Sequence, residues 1–167
     1  RLKIEASKEL MGAELEEGQF EFVIENNNSG YQVALGTNDK DGNITFDHMI
    51  PFTEKGTYEY LIYEKNESGD AGKYAGILMD TTEYKVTVVV DQIQEVLESY
   101  TEIVHKDRFI ITSILVEKRN EGNWEVVQRI EKPDNPDSKP VVLTLTKGSS
   151  FHNVVTDYTN FSVVKQW

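Results

Sequence analysis

The feature that most constrains this chain is alternation. Apolar side chains recur at every second position through Phe20, Phe22 and Ile24, through Tyr84, Val86, Val88 and Val90, then at Phe109, Ile111 and Leu115 and at Leu143 and Leu145. Successive side chains of a β-strand point to opposite faces, so each set lines one face of a sheet. Turn-forming clusters at residues 26–30, 38–43, 66–72, 120–123 and 132–140 separate the runs. Short strands punctuated in this way predict an all-β sandwich with Greek-key or immunoglobulin-like connections. Helix is sparse. Residues 13–17 form a short helical candidate, and 92–100 read equally as helix or strand, because Ile93, Val96, Leu97 and Tyr100 have helical spacing. A length of 167 residues suits one domain with one core. That domain is expected over residues 1–162, with 163–167 a linker or the opening of a following module.

The same period carries polar residues inward. In LKIEASK, Leu2, Ile4, Ala6 and Lys8 share a face; in YEYLIYE, Tyr58, Tyr60, Ile62 and Glu64 do; in VVTDYTN, Val154, Thr156, Tyr158 and Asn160 do. A lysine and a glutamate facing a core must pair or neutralise one another, since an isolated buried charge is costly. Neutralised, they are reactive. A deprotonated Lys8 is a nucleophile, and a protonated Glu64 polarises the Asn160 carbonyl and shuttles protons, so attack on the amide carbon expels ammonia and leaves an intramolecular isopeptide bond. Folding supplies the proximity, no cofactor is needed, and the reaction turns over once, so the chain is not expected to be an enzyme in the multiple-turnover sense.

At this point the sequence resembles the streptococcal pilin isopeptide linkage domain, found in the shaft subunits of Gram-positive pili and in related surface proteins. IEASKELMGAELEEGQFEFVIE is similar to the family's first two strands and puts Lys8 at the reactive lysine. GTNDKDGNITFDHMIPFTEKGTYEYLIYE resembles its GNVTF hairpin and GTYxYxIxE strand, whose terminal glutamate, here Glu64, is catalytic; GILMDTTEYKVTVVVD resembles its YDTTxYxVxVxV strand. DYTNFSV resembles the closing strand and implies Asn160 as acceptor, with Asn153, in SSFHNVV, the rival. Residues 92–153 carry no family motif and read as an insertion. The resemblance implies an immunoglobulin-like (Cna-B-like) sandwich with a Lys–Asn crosslink.

Composition agrees. Cysteine is absent, so a covalent staple other than a disulfide suits an extracellular domain of this size, and thiol chemistry is excluded. With 17 basic against 29 acidic residues and a net charge of -12, neither nucleic acid nor an anionic membrane is an expected partner. Other candidate sites read as ordinary structure. In TNDKDGNITFDH, Asp39, Asp41 and Gly42 fit a calcium loop, but His48 stands where a bidentate glutamate belongs, and Asp-Gly-Asn is strong hairpin chemistry. His48, His105 and His152 lack metal-ligand spacing, adjacent Glu16 and Glu17 face opposite ways, and Trp124 reads as part of a hairpin. No metal is expected.

Neither end shows a signal peptide, a spanning segment or a sorting signal, which is the expectation for a module of a longer protein. The reading is a mechanically stable stalk module of a Gram-positive pilus or adhesin, extracellular and wall-anchored through other parts, with neighbouring modules or pilin subunits as partners. The alternative is an adhesin module that binds a host glycan or matrix protein through residues 92–153.

Overall fold

The computed structural model describes residues 1–65, 76–145 and 150–155. These residues form eleven strands and no helix: β1 (Leu2–Met11), β2 (Glu21–Asn26), β3 (Gln32–Asn38), β4 (Asn43–Phe46), β5 (Gly56–Glu64), β6 (Ile77–Leu78), β7 (Glu83–Glu98), β8 (Ile103–Arg119), β9 (Glu125–Glu131), β10 (Val141–Thr144) and β11 (Phe151–Val155). The predicted all-β class is observed.

Strands β2, β3 and β4 form an antiparallel meander, and β5 returns beside β2, giving the order β5-β2-β3-β4 of a Greek key. The sheet continues from β5 through β7 and β8 to β9. On the other side β4 pairs with β1, which then runs parallel to β10 over its first half and to β11 over its second. Antiparallel β6 follows β11.

This hydrogen-bonded path folds back on itself. Strands β1 and β5 are separated in the path by β4, β3 and β2, yet Lys8 Nζ lies 2.5 Å from Glu64 Oε1. Phe151 of β11 meets Phe22 of β2 and Tyr84 of β7 at ring centroid distances of 5.1 and 5.4 Å. Two inner faces therefore share one core, the arrangement of a sandwich. Its fully buried members include Phe20, Phe22, Ile62, Tyr84, Leu143, Leu145 and Phe151. Each such side chain contributes roughly 1.5–3 kcal/mol relative to exposure. The Tyr84 hydroxyl stays satisfied by donating to the Ser150 carbonyl at 2.7 Å.

One open alternative is decided and two expectations are corrected. Residues 92–98 are strand, not helix: Gln92 to Glu98 pair residue by residue with Phe109 to Ile103 of β8. Val96 and Leu97 remain half exposed, so there is no apolar surface for a helical stripe to cover, and cross-strand hydrogen bonds decide the backbone. Residues 13–17 are irregular, bracketed by Gly12 and Gly18 at positive φ. Residues 92–153 are no accessory insertion, because Ile111, Ile114, Val116, Val141, Leu143 and Leu145 form part of the core. Within β8 the inward set shifts parity between Ile111 and Ile114, leaving Leu115 half-buried. A bulge is the cause: Val89 pairs with Ser113 while Val90 pairs with Ile111.

Candidate functional site

Lys8 is positioned by its main chain. It sits on the inward parity of β1, and its amide donates to the Gly42 carbonyl at 2.7 Å. Gly42, in the β3–β4 turn, has φ of 90°, and a Cβ there would stand 2.3 Å from the Lys8 carbonyl oxygen. The Asp-Gly-Asn hairpin expected from sequence thus seats the lysine strand. The turn is organised by Asp39, whose Oδ1 accepts from the amides of Asp41 and Asn43. That hydrogen bonding holds the Asp39 carboxyl below its ordinary range.

Glu64 is the last residue of β5 and follows Tyr60 and Ile62 inward. The side chains of Lys8 and Glu64 are both 0% exposed. Two phenyl rings complete the apolar wall, with Lys8 Nζ 4.6 Å from the Phe20 centroid and 5.9 Å from that of Phe22. Burial pushes the Lys8 amine down, against the opposing pull of Glu64. Burial pushes the Glu64 carboxyl up, opposed by Lys8 and by hydrogen bonds from Asn153 and the Asp80 amide. Both directions favour the neutral pair that nucleophilic attack requires.

Among the described residues, the carboxamide that joins this group is Asn153. It is 0% exposed and lies on β11, whose parallel register places Phe151 beside Lys8 and Asn153 beside Leu10. Its Oδ1 accepts from the Asp80 amide at 2.7 Å, the same amide that lies 3.3 Å from Glu64 Oε2, and its Nδ2 faces Met79 Sδ at 3.5 Å. Asn160, the acceptor expected from the closing-strand motif, lies outside the described residues. The inward set of β11 is Phe151 and Asn153, with Val154 only half-buried, one residue out of step with the alternation read through Val154.

Sequence reasoning missed Asp80. Its amide also approaches Glu64 Oε2 at 3.3 Å, and its carboxylate accepts from the amides of Thr82 at 2.8 Å and His152 at 2.6 Å. The signal was present in Asp-Thr-Thr ahead of an alternating run, a pattern that favours local side-chain to main-chain bonds. Trp124 lies between Lys85 and Arg119, 4.7 and 4.3 Å from its ring, in the β8–β9 hairpin as expected.

A folded-over β-sheet that closes a dehydrated lysine, acid and carboxamide into one contact group defines the class of isopeptide-type β-domains. Residues 4–110 match the family described as the Spy0128-like isopeptide containing domain (FctA), and this chain belongs to that family. Among solved structures it is similar to the major pilin protein (T-13) from Streptococcus pyogenes, with 14% identity and a TM-score of 0.43 over 92% of this chain and 51% of that one. The chain thus spans about half the length of that pilin. No curated protein matches it.

Proposed function

We propose that the chain is a structural stalk module of a Gram-positive surface pilus or fibrous surface protein, stabilised by an autocatalytic isopeptide bond between Lys8 and Asn153, with Glu64 as proton shuttle. The observation that carries this reading is the buried contact group of Lys8, Glu64 and Asn153 in a domain of an isopeptide-containing family. Lys8 passes a proton to Glu64, and the free Nζ attacks Asn153 Cγ, so that the C–N bond forms and the carbonyl electrons move onto Oδ1. Glu64 delivers its proton to Nδ2 and takes the second proton of the amine, the carbonyl re-forms as the C–Nδ2 bond breaks, and ammonia leaves with Glu64 left protonated. The sum is one amide formed, one amide broken and one ammonia released. An open cleft of about 430 Å³ lined in part by Glu64, Asp80 and Thr81 adjoins the site.

The function follows from where the bond lies. Strands β1 and β11 are adjacent and parallel, so a bond between them encloses nearly the whole fold and keeps tension applied at the two ends out of it. Such a module works outside the cell, in series with others. Among the described residues no helix is long and apolar enough to cross a membrane.

Intact mass tests the chemistry. The folded chain should weigh less than its sequence by one ammonia, and digestion should release a branched peptide joining the Lys8 and Asn153 segments. A branch to Asn160 would move the acceptor and keep the mechanism, whereas a mass equal to that of the sequence sinks the crosslink.

A further inference from the structure

We infer that Asp80 is a positioning residue for the crosslinking reaction: its main-chain amide is the oxyanion donor to Asn153, and its carboxylate clips β11 so that Asn153 faces Lys8. This rests on the crosslinking reading above. The amide nitrogen of Asp80 is 2.7 Å from Asn153 Oδ1, the atom on which negative charge develops when Lys8 attacks. A main-chain donor fixed beforehand in a water-excluded site stabilises that charge without reorganising, and one such donor accounts for about 10²–10³ in rate. The same bond orients the amide. With Oδ1 held by Asp80, Nδ2 is turned to Met79 Sδ at 3.5 Å, and the same Asp80 amide lies 3.3 Å from Glu64 Oε2, so donor, acceptor carbonyl and proton shuttle converge on one main-chain N–H. Asp80 thus relieves Glu64 of polarising the carbonyl.

The carboxylate holds the geometry in place. Its Oδ1 binds the Thr82 amide, which locks the Asp80 backbone, and its Oδ2 binds the amide of His152, the residue before the acceptor. Strand β11 is described over Phe151–Val155. A slip of one position would turn Asn153 away and present its neighbour to Lys8. One residue therefore sets both the register that selects the acceptor and the donor that activates it.

The test follows freshly translated full-length chain, quenched at intervals into acidic denaturant and read by intact mass. Replacing Asp80 by its α-hydroxy acid during cell-free translation turns the Met79–Asp80 amide into an ester, removes the N–H that faces Asn153 Oδ1 and Glu64 Oε2 while keeping the side chain, and should slow ammonia loss by about 10²-fold. Asp80→Ala should slow it about ten-fold or more and spread the branch beyond Asn153, while Asp80→Asn, which keeps one acceptor oxygen, should restore part of the rate and the single branch site. Each substitution is repeated in the uncrosslinked Glu64→Ala chain, where an unchanged unfolding midpoint assigns the slowing to the reaction rather than to folding. If the native chain loses ammonia and the hydroxy-acid chain does so equally fast, Asp80 has no such role. A native chain that never loses ammonia overturns the crosslinking reading itself.

Discussion

At the scale of the residue, the pair Lys8 and Glu64 makes little sense as a stabilising device. A buried ion pair seldom repays its desolvation, and removing one partner strands the other. On the proposed reading its value is chemical, and two predictions separate chemistry from packing. Glu64→Ala should fold, keep the full sequence mass and lose stability, by roughly 5 kcal/mol from the chain entropy that a crosslink enclosing most of the chain removes; retention of the ammonia loss in this variant would show that Glu64 is not the shuttle. Asn153→Ala keeps the pair but offers no acceptor there, so the pair's titration becomes visible in stability. The Glu64 carboxyl is raised above its ordinary 4.5, so between that value and the raised one the folded state holds the extra proton and stability falls as pH rises. The Lys8 amine is lowered from 10.5, so above its lowered value the unfolded state holds the extra proton and stability recovers toward 10.5. Denaturant midpoints of Asn153→Ala across pH should therefore pass through a minimum that Asn153→Ala combined with Lys8→Met and Glu64→Leu lacks.

Elements decide whether the residues meet. Strand β1 is held on one side by the Gly42 carbonyl and on the other by β11, and Gly42 allows that approach only because it has no Cβ. Gly42→Ala forces a side chain into the left-handed region and against the Lys8 carbonyl. It should cost about 1–3 kcal/mol and slow crosslinking, measured by thermal unfolding and by timed intact mass. The outer part of the β7–β8 hairpin is the opposite case. Beyond Val90 neither β5 nor β9 pairs with it, and Val96, Leu97, Ile103 and Val104 are substantially exposed. A two-stranded ribbon adds little stability of its own. Replacing residues 94–107 with an Asn-Gly turn, which joins the paired Ile93 and Arg108, should leave the ammonia loss intact and the unfolding midpoint within a few degrees, and a failure to crosslink would mean that the ribbon supports the core after all.

For the whole molecule, the decisive fact is that the reacting strands are neighbours in space and far apart in sequence. Strand β1 lies parallel to both β10 and β11, so the C-terminal part of the chain closes against the N-terminal strand along its length. With Lys8 joined to Asn153, pulling the ends loads covalent bonds. Single-molecule stretching of the native chain should show almost no unfolding length. Glu64→Ala must carry the load through strand hydrogen bonds and packing, and their rupture should release on the order of 500 Å at roughly 3.3–3.6 Å per extended residue. A native chain that unravels to that length refutes the stalk reading.

The inward parity of Lys8 and Glu64, the all-β class and the β3–β4 turn were legible in the sequence, because each depends on local backbone geometry: a period of two, and the turn chemistry of Asp39 to Asn43. The strand state of residues 92–98 was not, since helical spacing and strand pairing compete there and only the partner β8 breaks the tie. Nor was the parity change in β8, which a bulge opposite Val89 and Val90 imposes. The carboxamide beside Glu64 was legible only as a choice between Asn160 and its rival Asn153. Which asparagine meets the acid depends on the parallel register of β11 against β1 and on the Asp80 clip across to His152, pairings between segments remote in sequence. Local periodicity determines which way a side chain points; only the folded-over sheet decides what it points at.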